Sequence, residues 1–294
     1  MFFEGPEKKV ELALIPGKRS LRSLGRGYWE GIVSKANAKI LSSISNESLD
    51  AYLLSESSLF VADAWLTMIT CGRTDLTAAI LQMCRDLGTQ DLQYLVYERK
   101  NAYFQEYQPA NFFDDAKRLS EAVPGKCFRF GDVDDHHVFL FHFDKPHAPS
   151  PDDLTLEVLM HGMGSRAPDL PALFPGFQVD DHRFEPVGYS LNAIQGTKYY
   201  TVHVTPQKFC SYVSFETNCV DDGAEAMTAR LLELFKPQSL DVILFTPLGS
   251  QRKVGCAYPA ERSICQELSC GYRVRFDHYF KPVRGSSPAF QIKP

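Results

Sequence analysis

Several things are missing from this chain, and each absence narrows what it can do. It has no run approaching the roughly 20 apolar residues of a membrane helix. Its start, Met1-Phe2-Phe3-Glu4-Gly5-Pro6-Glu7, lacks the basic stretch and apolar core of a targeting leader. No membrane contact and a cytoplasmic location are therefore expected. Its eight cysteines, at positions 71, 84, 127, 210, 219, 256, 265 and 270, form no CxxC pair and no Cys/His ligand spacing. Reduced thiols, rather than a zinc site or a disulfide framework, follow from that. No basic stripe is present, and the net charge of −5 argues against a nucleic-acid partner. A glycine-rich phosphate loop is missing too: Gly25-Arg26-Gly27 lacks a third glycine and a strand before it, and reads as a turn. Lys18, Arg19, Arg22 and Arg26 read as solvated surface. Asp132, Asp134, Asp135, His136 and His137 resemble metal ligands in type, but neighbours on a hairpin turn do not converge on one ion, so no metal is expected.

What is present is a series of short apolar runs, at residues 52–60, 66–70, 92–97, 138–143, 154–160, 199–205, 211–215, 240–245 and 272–280. Many are β-branched or aromatic, and several alternate as antiparallel strands with one polar face do. Amphipathic helices are predicted over residues 74–87 and 222–235, the second stopped by Pro237, with a third around 113–122. Each of the first two follows a pair of strands. The layout suggests two sheet-plus-helix halves, although no sequence repeat relates them. Strands grouped with few helices give an α+β class with antiparallel sheets.

Three stretches are more specific: Phe2-Phe3-Glu4-Gly5-Pro6-Glu7-Lys8, Tyr52-Leu53-Leu54-Ser55-Glu56-Ser57-Ser58-Leu59-Phe60 and Tyr212-Val213-Ser214-Phe215-Glu216-Thr217-Asn218. Gly188-Tyr189-Ser190-Leu191-Asn192 and Tyr200-Thr201-Val202-His203-Val204-Thr205-Pro206 join them in order. Together they resemble the eukaryotic-type S-adenosylmethionine decarboxylase family over most of the chain. The resemblance implies a single domain over 1–294, folded as a four-layer α-β-β-α sandwich of two antiparallel sheets with helices outside. It also implies self-cleavage between Glu56 and Ser57 into chains 1–56 and 57–294.

The chemistry explains why such a chain would cut itself. Decarboxylating an amino acid leaves a carbanion, which ordinary side chains cannot stabilise. A pyruvoyl carbonyl can condense with the substrate amine and accept the electrons. By resemblance, Ser57 becomes that group: its hydroxyl attacks the Glu56 carbonyl, and loss of the α-proton opens the resulting ester. His203 matches the base that takes this proton, and Ser190 the assisting hydroxyl. Cys71 matches the acid that reprotonates the substrate carbon, and Glu4 and Glu7 match acidic residues of the active site. Phe3 and Phe184 match paired rings that stack on the purine, and Leu54 the backbone that meets it. By composition alone, Ser55-Glu56-Ser57-Ser58 is a polar turn, the phenylalanines are core, and the glutamates lie on a solvated face.

The sequence departs from the family pattern at two points. A carboxylate usually follows His-x-Thr-Pro to hold the ribose, and here Gln207 stands there, without charge assistance. The family also has a basic residue two positions before its cysteine, where this chain has Ile69. Glu11, Asp153, Thr155, Glu157 and Glu216 match the acidic set that holds putrescine. Without a basic partner these buried carboxylates are costly, so the expectation is that putrescine or another polyamine binds there, the alternative being that some of the carboxylates stay protonated. A homodimer is compatible with the resemblance. The alternatives are a pyruvoyl decarboxylase of another amino acid and a non-catalytic regulatory paralogue.

Overall fold

The computed structural model describes residues 7–55, 57–163, 173–185, 187–206, 211–220 and 224–282. The first half supplies strands β1 (Lys8–Leu14), β2 (Ile40–Ser45), β3 (Asp50–Leu54), β4 (Ser57–Val61), β5 (Trp65–Thr70), β6 (Leu92–Lys100), β7 (Gly125–Phe130) and β8 (Val138–Phe143). The second supplies β9 (Thr155–His161), β10 (Gln178–Arg183), β11 (Tyr189–Gln195), β12 (Lys198–Thr205), β13 (Tyr212–Thr217), β14 (Ser239–Pro247), β15 (Ala260–Glu267) and β16 (Tyr272–Phe280). Helices α1 (Gly25–Lys35), α2 (Leu76–Leu87) and α3 (Phe112–Ala122) belong to the first half, and α4 (Ala224–Phe235) to the second.

Each half folds into one antiparallel eight-stranded sheet. The orders are β2-β3-β4-β5-β1-β6-β8-β7 and β10-β11-β12-β13-β9-β14-β16-β15, the same topology repeated. The two halves suggested by the pattern are thus one architecture used twice, with the repeat in the backbone rather than the residues.

Alternation along the strands sorts side chains into layers. In β1, Val10, Leu12 and Leu14 pack with Trp29, Ile80 and Leu119 of α1, α2 and α3 on the outer face. In the second sheet, Val202, Val204 and Phe215 pack against Met227 and Leu231 of α4. Between the sheets, Val96 and Leu140 meet Leu159, Ile243 and Phe276. At the other end of this middle layer, Phe60 stacks on Tyr199 with ring centroids 4.4 Å apart. Helices outside two facing sheets make the expected four-layer sandwich. No helix among the described residues is long and apolar enough to cross a membrane.

The structure corrects several readings. The run 52–60 is two strands, β3 and β4, paired Leu54 to Ser57. Gly25-Arg26-Gly27 opens α1 instead of making a turn. Arg22 is not merely solvated: its Nε and Nη2 lie 3.1 and 3.0 Å from the Asp50 carboxylate. Four of the unpredicted strands, β2, β7, β10 and β15, are the sheet edges, where polar residues face water and blur the alternation; β11, one place in from an edge, was missed as well. The central strand β1 was hidden for the opposite reason. Its Lys8, Lys9 and Glu11 look like a solvated charge run, yet both lysines are buried.

Candidate active site

Ser57 opens β4 and lies cross-strand from Thr70, the last residue of β5. Cys71 follows directly, and its Sγ is 3.9 Å from Ser57 Oγ and 3.9 Å from Glu7 Oε2. Ser57 is 2% exposed. Its φ of +146° is one that L side chains rarely adopt, and such strain costs about 1–3 kcal/mol. The turn after Cys71 is held by Lys8, whose ammonium donates to the Gly72 carbonyl at 2.8 Å.

The second sheet supplies the facing wall. Ser190 and His203 are direct cross-strand partners on β11 and β12. Ser190 Oγ is 2.9 Å from His203 Nδ1. On the ring's other side, His203 Nε2 is 2.8 Å from Thr201 Oγ1 and 3.1 Å from Ser58 Oγ. So Ser58, rather than its neighbour Ser57, bridges to the histidine among the described residues. Burial pushes the His203 imidazole down to about 3, which keeps it unprotonated at neutral pH and able to accept a proton.

Glu7 is buried rather than on the solvated face that its sequence neighbours suggested. Burial raises its carboxyl to about 8, against 4.5 for a free glutamate. The folded state therefore keeps a proton that the unfolded chain releases, and stability falls as pH rises through that window. Glu7→Gln should lack this loss. Denaturant unfolding at pH 5 and pH 8 should show a difference on the order of 3 kcal/mol between wild type and variant in how much stability is lost. Equal losses would contradict the buried, protonated carboxyl.

The expected acidic set is assembled, but not around an empty place. Lys9 Nζ lies 2.7 Å from Glu11, 2.6 Å from Glu157 and 2.9 Å from Glu216. The expectation of carboxylates without a basic partner is thus overturned. The reason lies in the register: Lys9 is directly opposite Ile69 across β1 and β5, so both point to the same face. The charge missing at Ile69 is supplied from the neighbouring strand. Burial disfavours the Lys9 charge, but Glu11, Glu157 and Glu216 outweigh it and hold the ammonium well above its usual value. Glu98, opposite Lys9 on β6, is pushed well up by burial and joins the set. Burial also raises Glu216 to about 7, and Tyr199 donates to it at 2.6 Å. Glu11, Asp153 and Thr155 additionally line a cavity of about 470 Å³ with Tyr94, Trp65 and Tyr199.

Of the remaining expected site residues, Phe3, Glu4, Glu56 and Gln207 lie outside the described residues. The Leu54 side chain is in the core on the helix side, and its backbone pairs with Ser57. Phe184 follows β10, with its N–H on the Gly188 carbonyl at 3.0 Å, at the turn leading into the strand that carries Ser190. The turn of Asp132 to His137 joins β7 and β8 as expected. Asp132 pairs with Arg262, while His136 comes close to His161 and Asp241, their ligand atoms within 4.8 Å of one another. A cation already faces that group: Lys100 Nζ is 3.4 Å from His136 Nδ1 and 3.6 Å from Asp241.

Lys8, Lys9, Ser58, Glu98, Asn192 and Thr201 were not singled out from the sequence. Strand register was the signal available for Lys9, since β1 must pair with β5 for Glu7 to reach Cys71. Ser58, Asn192 and Thr201 sit inside the matched motifs, but which of their faces is inward depends on the fold.

Comparison with known proteins bears on the family and the fold. The family model described as adenosylmethionine decarboxylase matches residues 1–170 and 164–280. The S-adenosylmethionine decarboxylase proenzyme of Leishmania donovani is 34% identical over 300 residues, covering 89% of this chain and 77% of the relative. That of Xenopus laevis is 31% identical over 297 residues, covering 88% of each. The crystal structure of the Trypanosoma brucei AdoMetDC-delta26 monomer superposes with a TM-score of 0.57 at 24% identity, over 76% of this chain and 99% of that one. That likeness bears on the fold. The family match spans both halves of the two-sheet sandwich, and the relatives above 30% identity cover most of it: the chain belongs to the adenosylmethionine decarboxylase family.

Proposed function

We propose that this chain cleaves itself before Ser57 and then decarboxylates S-adenosylmethionine, with a pyruvoyl group at Ser57 as its cofactor. The observation that carries the reading is Ser57 itself: buried, strained at φ +146°, and 3.9 Å from the Cys71 thiol. A serine that must expel its neighbour gains from ground-state strain relieved on cleavage. The pyruvoyl group supplies the electron sink that α-decarboxylation needs.

This chain's own residues divide the remaining work. Neutral His203 is the base for the Ser57 α-proton, with Ser190 hydrogen-bonded beside it. Cys71, whose Sγ lies 3.9 Å from Ser57 Oγ, delivers a proton to the substrate carbon. Glu7, protonated and beside Cys71, adds no negative charge there. Phe3 and Phe184 stack the purine, the Leu54 backbone meets it, and Gln207 takes the ribose without charge assistance. Glu4 acts with Glu7 at the active site. The reading includes one domain over 1–294, a cytoplasmic location, and a homodimer that sedimentation velocity checks.

The acidic set carries the diamine question. With Lys9 among Glu11, Glu157 and Glu216, the chain holds its own cation, and putrescine is not required for activity. The cavity beside Glu11, Asp153 and Thr155 is where a diamine would enter.

The test is the intact mass and denaturing gel of purified protein. Fragments of 56 and 238 residues (294 − 56) are expected, the larger with a borohydride-reducible carbonyl. A single chain with an ordinary serine at 57 would overturn the reading in favour of a non-catalytic paralogue. Carbon dioxide release from S-adenosylmethionine, ornithine, arginine and lysine then checks the substrate. Turnover of S-adenosylmethionine alone is expected. Turnover of only the others would reject it and point to Gln207.

A further inference from the structure

We infer that Asn192 is a positioning residue that sets the tautomer of His203, placing the proton on Nε2 and leaving Nδ1 as the basic atom. The argument is a count of protons in a closed buried network. Asn192 is fully buried on β11 and Thr201 sits opposite it on β12. The amide orientation is settled by its partners: Nδ2 donates to the Tyr52 carbonyl at 3.0 Å, so Oδ1 is the atom facing the hydroxyls. Ser58 Oγ donates to that Oδ1. Thr201 Oγ1 lies 3.1 Å from the same Oδ1 and 2.9 Å from the Leu191 carbonyl, both pure acceptors.

Each hydroxyl carries one proton. Ser58 commits its proton to Asn192, and Thr201 commits its own to Asn192 or Leu191. Both oxygens then present only lone pairs to His203 Nε2, at 3.1 and 2.8 Å. A proton on Nε2 satisfies them. Without it, Thr201 or Ser58 would have to turn its proton to the ring, leaving either Thr201 Oγ1 facing the Leu191 carbonyl and Asn192 Oδ1, or Ser58 Oγ facing Asn192 Oδ1, with no proton between. In that arrangement two protons serve a network that otherwise holds three, and bare buried oxygens are costly. The ring cannot be turned over, because its other nitrogen, Nδ1, meets Ser190 Oγ at 2.9 Å. With Nε2 protonated, Nδ1 accepts from Ser190 and is the nitrogen on the side of the assisting hydroxyl.

The network also gives Ser58 a role separate from Ser57. Ser58 and Thr201 hold the ring from one side, while Asn192 holds both hydroxyls. The consequence for cleavage rests on the proposed self-processing. The tautomer itself does not.

The experiment is long-range nitrogen–proton correlation NMR on the full chain labelled with ¹⁵N-histidine, with His203 assigned by His203→Gln. Wild type should show a protonated, pyrrole-type Nε2 and a pyridine-type Nδ1. Asn192→Leu, which has nearly the same volume, frees the Ser58 proton to turn to Nε2, while Thr201 keeps the Leu191 carbonyl as its acceptor. The variant should shift the signals toward the opposite tautomer and slow self-cleavage by about a hundredfold, the low end of what a general base contributes. If that variant does not fold, Asn192→Ala, which removes the same amide oxygen, is expected to give the same shift. A wild-type ring protonated on Nδ1, or an unchanged tautomer in a folded variant, would overturn the inference. A wild type that shows the stated tautomer but never cleaves would leave the positioning role intact and reject the processing instead.

Discussion

Ser57→Ala should leave a single uncleaved chain with no carbonyl reducible by borohydride and no measurable decarboxylation. The loss should be total within detection, because the variant removes both the attacking hydroxyl and the atoms from which the cofactor is made. Ser58→Ala is the informative companion. Ser58 touches His203 Nε2 at 3.1 Å and donates to Asn192, but Thr201 at 2.8 Å still holds the ring. Cleavage in Ser58→Ala is expected to slow by about tenfold, less than the roughly hundredfold or more that losing a general base costs, and to go to completion. Time courses of the intact mass after synthesis separate the two variants. Cleavage persisting in Ser57→Ala would move the site off this residue. Full arrest in Ser58→Ala would assign the nucleophile to Ser58, the one of the two adjacent serines that contacts the histidine among the described residues.

The second large effect is expected at Lys9. Lys9→Met removes the only ammonium within hydrogen-bond reach of Glu11, Glu157 and Glu216 among the described contacts. Methionine replaces the stem but leaves the carboxylates facing one another without a cation between them. Breaking a buried pair this way costs about 3–5 kcal/mol. The variant should recover stability as pH falls, because protonating Glu216, already raised to about 7, relieves the repulsion. Millimolar putrescine should restore much of the loss, since a diamine ammonium can enter beside Glu11 and Asp153 and replace the missing charge. Wild type should respond little. Thermal unfolding and decarboxylation, each with and without putrescine, check both statements. Strong activation of wild type with no rescue of the variant would show that Lys9 does not stand in for a diamine.

Much of the fold was legible. Periodicity located α2, α3 and α4 and the central strands β5, β6, β8, β9, β12, β13, β14 and β16, because buried strands and one-sided helices write their packing into the spacing of apolar residues. The edge strands were not legible, since water on one face permits almost any polar residue there. Strand β1 failed for a physical reason that is also the functional one. A Lys-Lys-Val-Glu stretch is read as surface because burying charge is expensive, and only the presence of matching charges makes it tolerable. Those partners, Glu157 and Glu216, lie on β9 and β13 of the other sheet.

The candidate site divides along the same line. Ser57, Cys71, Ser190 and His203 could be named from motifs, because their chemistry demands particular residue types in recognisable neighbourhoods. That Glu7 would be protonated, that Ser58 would be the serine on His203, and that Lys9 would occupy the acidic set could not. Each depends on which faces two sheets turn to each other, and a one-residue change of register would reverse it. The sequence by itself therefore determined the kind of chemistry, through the identity of a few reactive groups. The tertiary structure alone decided their protonation and pairing, because burial and opposing charge are properties of the gap between the sheets and of no single segment of the chain.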